Sequence, residues 1–281
     1  MQALLQSAYV RWWRNGRSLD SKVWDRRQDG TCASWRQPLR AQCARPPVAD
    51  ANAEALASMA GISWDTIESF VGYGRREAPI VFIGMEEGLA RGDELDSELL
   101  LRSTYTQYMD LHASFGNELE AFLRNPGRRP TWIAMSATAL AHLGTSDPDY
   151  ADCRNYMLSD LGRSNGKTLL TELLPYPSAN IDTWKYDRFT DRKAYANALL
   201  FNRLELLKAI VDAPGRELVV AYGKSYWDKY KLLFPTCQWS ESGKFEYGRY
   251  RDARIVLAPH FASRPFNGTI GRKRLTEGVF A

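Results

Sequence analysis

The sequence predicts an α/β protein: a three-layer sandwich around a central, mostly parallel sheet, with a helical extension at its N-terminus. Three observations carry this reading. Short apolar runs alternate with helical periodicity from Ala78 onward, each run stops at a turn rich in glycine, proline or charge, and the first 75 residues lack such runs. A parallel strand is buried on both faces and reads as a continuous apolar run, and alternating strand and helix patterns build βαβ units.

The elements follow in order. Residues 1–75 form the predicted extension, with a Trp- and Arg-rich start (Tyr9, Arg11, Trp12, Trp13, Arg14), a loop over residues 29–47 and a helix from about Asn52. Its aromatic rings need a surface to cover, so the helices are expected to pack on the α/β domain, residues 76–281. Ile, Val and Phe after a proline make residues 80–83 the first strand. Residues 99–123 are broadly helical, and residues 132–135 form a short buried segment, helical or extended. Residues 168–174 form the second strand and residues 191–212 a helix. Residues 217–222 are a strand, 225–233 a short helix and 254–258 the last strand.

The chain has 281 residues with 44% apolar content, enough for one large core. No apolar run approaches the roughly 20 residues needed to span a bilayer, and arginines interrupt the start, so a soluble, cytoplasmic protein is expected. Cys32, Cys43, Cys153 and Cys237 are few and scattered, with no Cys-x-x-Cys pair, so neither a disulfide scaffold nor a metal or other cofactor is expected. The net charge of +4 leaves any nucleic-acid surface to local patches.

Three predicted strand ends carry the chemistry: Gly84-Met85-Glu86-Glu87-Gly88, the segment from Thr171 through Glu172 to Tyr176 and Pro177, and Pro259-His260-Phe261-Ala262-Ser263-Arg264. Parallel strands direct their carboxyl ends to one edge, where ligands of open α/β sheets bind. Glu86, Glu172 and His260 are therefore expected to converge. Singly, each has a plainer role. Paired glutamates after a strand cap a helix, a histidine after proline is commonly structural, a glutamate in an apolar strand commonly ends in a buried ion pair, and Arg272-Lys273-Arg274 reads as a solvated face. His112 and His142 show no partner pattern and are read as structural.

Taken together and in order over residues 78–270, these motifs resemble the uracil-DNA glycosylase superfamily, which has a strand-Gly-x-Asp/Asn motif, a strand ending in a base-reading Asn and a late His-Pro-Ser loop. The resemblance implies a monomeric, monofunctional DNA glycosylase without cofactor that flips a base out of double-stranded DNA. It implies Glu86 as the carboxylate that handles water and His260 as the group that stabilises the leaving base. Glu172, Phe82, Tyr176 and Glu87 would surround the base. Arg264, Pro265 and Phe266 would wedge into the stack, with Lys224, Ser225, Arg272 and Lys273 on phosphates.

The departures bear on the substrate. Glu86 stands where Asp or Asn is usual, Glu87 replaces a proline, Phe261 and Ala262 replace Pro and Ser, and Glu172 replaces the Asn of uracil-excising members. A carboxylate accepts from the exocyclic amine of cytosine but faces the O4 acceptor of uracil. An uncompensated buried acceptor costs about 1–3 kcal/mol, or about 5- to 150-fold in preference. The expected substrate is therefore a cytosine type, and the resemblance implies a modified, 5-substituted one, such as a glucosylated hydroxymethyl form; burial of Glu172 would let it also protonate N3. The resemblance implies base-excision repair or removal of modified bases from phage DNA as the setting. Three other readings fit the same residues: a repair glycosylase for uracil or damaged bases, a nucleoside hydrolase using the Glu/His pair, and a DNA-binding module without catalysis.

Overall fold

The computed structural model describes residues 61–88, 95–114, 130–178, 184–263, 266 and 268–281. Residues 1–60 of the expected extension lie outside the described residues, as do Arg264, Pro265 and residues 115–123 of the expected long helix.

Among the described residues the helices are α1 (Trp64–Ser69), α2 (Leu95–Arg102), α3 (Pro130–His142), α4 (Tyr150–Ser159), α5 (Arg192–Val211), α6 (Trp227–Lys231) and α7 (Gly268–Phe280), plus a 3-10 turn, Lys224–Tyr226. The strands are β1 (Gly72–Gly74), β2 (Ile80–Gly84), β3 (Tyr108–Met109), β4 (Thr168–Glu172), β5 (Leu218–Tyr222), β6 (Ser240–Ser242), β7 (Phe245–Tyr250) and β8 (Ala253–Ala258). They form one sheet in the order β3-β1-β4-β2-β5-β8-β7-β6. The strands β4, β2, β5 and β8 run parallel side by side, while β1 meets β4 and the pair β6-β7 meets β8 antiparallel.

The apolar runs are continuous because the central strands are covered on both faces. All five residues of β2 and of β5 are buried. Alternate residues feed two cores. Ile80, Phe82, Val220 and Val256 pack with Trp132 and Met135 of α3, Met157 of α4 and Leu275 of α7. Val81, Ile83, Val219 and Ile255 pack with Ile67 of α1, Leu99 of α2, Leu199 and Leu207 of α5 and Tyr230 of α6. Burial of each such side chain contributes about 1.5–3 kcal/mol before chain entropy is set against it. Caps fix where the helices start: Asp191 accepts from the Ala194 amide at the head of α5, and Asp149 and Asp152 form a reciprocal capping box on α4.

Several expected elements change. Residues 132–135 lie inside the 13-residue helix α3, whose buried residues run from Trp132 to Ala139. The helix expected from Leu99 ends at Arg102, and Tyr108–Met109 instead pairs with β1 as an edge strand. The second strand stops at Glu172 rather than Leu174. Residues 61–75, assigned from sequence to the helical extension, supply α1 and the strand β1 of the sheet itself. No helix among the described residues is long and apolar enough to cross a membrane.

Candidate active site

The register of the parallel strands lines up one row of residues at their carboxyl ends. Gly84 of β2 is opposite Glu172 of β4, and Tyr222 of β5 is opposite Ala258 of β8, two residues before His260. Period-2 alternation puts Glu172, Gly84 and Tyr222 on the face occupied by Phe82. Because Gly84 has no side chain, Glu172 and Tyr222 reach over it from the two flanking strands, and the Tyr222 hydroxyl donates to Glu172 Oε1 at 3.4 Å. A Cβ at Gly84 would collide with Glu172 Oε2 and lie 2.5 Å from the Tyr222 hydroxyl. Phe261 stacks on Tyr222 at 4.6 Å between centroids, and the His260 ring meets Tyr222 edge-on at 5.6 Å. Tyr222 thus joins the Glu172 end of the row to the His260 end.

The glutamates after β2 diverge. Glu87 is held by Arg102 Nη2 at 2.7 Å and accepts from the Tyr73 hydroxyl at 3.2 Å. Arg102 also binds Glu98 one turn back on α2, Nε to Oε1 at 2.7 Å. Glu86 pairs with Arg192, the first residue of α5, which also donates to the Ser178 hydroxyl. Glu86 Oε1 is sealed from solvent without a hydrogen-bond partner. Burial pushes both carboxyls up, and each arginine partly opposes this. Glu172 keeps some exposed surface, but its Oε2 is buried without a partner. Burial first and the neighbouring Glu87 second hold its carboxyl well above the usual carboxylate range.

His260 is half-buried, and burial pushes its imidazole below the ordinary histidine value. Its Nδ1 accepts from the Ala262 amide at 3.1 Å, which places the single ring proton of neutral imidazole on Nε2. The site therefore combines a neutral Nε2 donor, an arginine-held carboxylate and a carboxyl group without a cation. Among the described residues no three His, Cys, Asp or Glu side chains are arranged to hold a metal ion.

The other expected site residues are spread more widely. Phe82 is fully covered and packs edge-on against Phe261 as floor beneath the row. Tyr176 is fully buried in the opposite core, stacked on Tyr195 and donating to Glu68. Lys224 and Ser225 are exposed on the turn after β5, with the Lys224 ammonium over Trp227. Phe266 is 5% exposed and packs on Phe245, because Gly271 lets α7 approach its backbone closely. Arg272 is 9% exposed with its guanidinium over Tyr150, while Lys273 is exposed beside Asp147. His112 and His142 bind the Met157 carbonyl and Glu217 respectively.

Sequence reasoning missed Tyr73, Arg102, Arg192 and Tyr222. Glu98 and Arg102 are four apart on a helix, a visible pairing signal. Arg192 lies 106 positions from Glu86, and no local pattern connects them. No protein-family model matches the chain, and no curated protein matches it.

Proposed function

We propose that the protein is a DNA glycosylase of the uracil-DNA glycosylase type that excises a flipped pyrimidine and leaves an abasic site. The observation that carries this reading is the row Glu172, Tyr222 and His260 at the carboxyl edge of four adjacent parallel strands, with Glu86 two residues beyond β2 on Arg192. Breaking an N-glycosidic bond makes the sugar cationic at C1′ and moves electrons into the base. Groups that meet those developing charges lower the barrier more than they stabilise the ground state. The neutral His260 can donate from Nε2 to a base carbonyl without first gaining a proton. Glu86 is the carboxylate assigned to hold water, take its proton and face the cationic sugar, a role that requires the site to open at Oε1, which is sealed in this structure while Arg192 holds the other oxygen. Its raised proton affinity suits a general base working near neutral pH. Glu172, beside Tyr222 at the end of β4, is the group assigned to the base edge.

A hydrolase of free nucleosides is the second reading. The burial of Phe266 and Arg272 favours it, because two contacts expected for duplex DNA are turned inward.

The test is incubation with duplexes carrying uracil, cytosine or 5-substituted cytosines, followed by cleavage at abasic sites. Strand scission that falls by about 100-fold or more in Glu86→Gln and in His260→Asn supports excision. Turnover of free nucleosides without abasic product establishes the second reading. DNA binding unchanged by Glu86→Gln, without product from either substrate class, overturns both.

A further inference from the structure

We propose that Glu172 works as a neutral carboxylic acid that donates one hydrogen bond to a pyrimidine ring nitrogen and accepts one from the adjacent exocyclic amine, the edge of cytosine and its 5-substituted forms. This rests on reading the site as a pyrimidine glycosylase.

The argument begins with charge partners. Four carboxyl groups gather around the strand ends, at Glu86, Glu87, Glu98 and Glu172. Arg102 binds Glu87 and Glu98, and Arg192 binds Glu86. The nearest remaining guanidinium, Arg203, donates to the main-chain carbonyls of Leu173, Glu68, Phe70 and Glu172 itself. Glu172 is left with one long hydrogen bond from Tyr222 and a sealed Oε2. An ionised carboxylate there would have neither water nor a cation at Oε2, and a buried charge without compensation gives up ionisation first. The titratable groups around it agree. Glu86 and Glu87 beyond β2 and burial itself favour the neutral form, while Arg102 on α2 and the Tyr222 hydroxyl on β5 oppose it. Tyr73 on β1 and Tyr230 on α6 feel Glu172 and are themselves pushed up, so they add no cation. Arg203 on α5 hydrogen-bonds main-chain carbonyls here, though its charge also interacts with Glu172 and opposes the neutral form, and His260 beyond β8, against the Tyr222 ring, is neutral.

The protonation state changes what the site recognises. A carboxylic acid has an O–H donor and a C=O acceptor, whereas a carboxylate only accepts. Cytosine offers N3 to the O–H and its N4 amine to the C=O. Because Oε2 is sealed over Gly84 in this structure, seating the base requires the carboxyl group to turn out of that space, giving up the long Tyr222 hydrogen bond. Uracil can also pair, its N3–H to the C=O and its O4 to the O–H, so the repulsion of uracil expected for an ionised Glu172 disappears. Discrimination then lies in proton delivery. As the C1′–N1 bond breaks, its electron pair enters the base, the Glu172 O–H breaks and an N3–H bond forms, so cytosine leaves neutral. A water oxygen bonds C1′ and passes its proton to Glu86. Solvent then moves that proton to Glu172 for the next turnover.

Two measurements test this. In the full-length protein carrying 13C-labelled glutamate carboxyls, one signal, absent in Glu172→Gln, is expected to titrate above the ordinary carboxylate range. A Glu172 signal within that range overturns the proposal whatever the substrate. In excision assays, activity on cytosine-type duplexes is expected to fall as pH rises through that same titration. Glu172→Gln keeps a donor and an acceptor but has no proton to give. It should lose about 100-fold or more on cytosine-type bases, lose far less on uracil and lack the alkaline limb. Full cytosine activity in Glu172→Gln overturns proton delivery. A neutral Glu172 together with no excision of any base fails the glycosylase reading instead, and with it the pairing.

Discussion

Replacing Arg102 by methionine removes a buried cation and keeps most of its apolar stem, so it isolates the electrostatics of the network beneath the site. Arg102 is 2% exposed and lies 2.7 Å from both Glu87 and Glu98. Removing one partner from a buried ion pair costs about 3–5 kcal/mol, because the remaining charge is stranded. Against a total stability of about 5–15 kcal/mol that is a large fraction. At about 2–4 °C per kcal/mol for a domain of this size, Tm should drop by about 6–20 °C. The pH dependence has a definite sign. With the guanidinium gone, burial acts unopposed and the folded state holds the Glu87 carboxyl further above its unfolded value. The variant's stability is therefore best preserved below the unfolded carboxyl pKa of about 4 and declines as pH rises through the folded value. The deficit relative to wild type should be larger at pH 8 than at pH 5. The assay is urea unfolding at both pH values, with the triple variant Arg102→Met, Glu87→Gln, Glu98→Gln expected to recover most of the loss. A deficit under about 1 kcal/mol, or one that does not change between the two pH values, refutes the reasoning.

Gly84→Ala places a methyl group against Glu172 and Tyr222. Overpacking of about 1–3 kcal/mol is expected, with excision falling further than the melting curve explains; full activity would show that the row across Gly84 is not the site. Cys153 is fully buried, and burial pushes its thiol up to about 11. At pH 8 only about one Cys153 in a thousand is thiolate, so mass spectrometry after brief iodoacetamide treatment should find it unmodified in native protein and alkylated after denaturation.

Much of the scaffold was legible in the amino-acid order because its signals are local. The runs that became β2, β5 and β8 are mostly apolar on both sides, β4 carries Leu169 and Leu170 between two threonines, and the candidate site residues lie at or just beyond strand ends. The α5 boundaries were also readable, with Asp191 capping its start. The edges were not. Gly72–Gly74 carries almost no strand propensity and pairs only because β4 offers it a partner. Tyr108–Met109 in turn pairs with β1, and α7 turns Phe266 and Arg272 inward although both read as surface contacts with DNA.

By itself, then, the sequence set out four short strands with Glu86, Glu172 and His260 near their carboxyl ends, since periodicity and strand ends are properties of neighbours in the chain. Tertiary structure alone decided which carboxyls beyond the strand ends obtain a cation. Arg192 reaches Glu86 across 106 positions, Arg102 takes Glu87, and Glu172 meets only Tyr222 over the space left by Gly84. Proton affinity depends on what surrounds a group in space, and that is set by packing between distant segments.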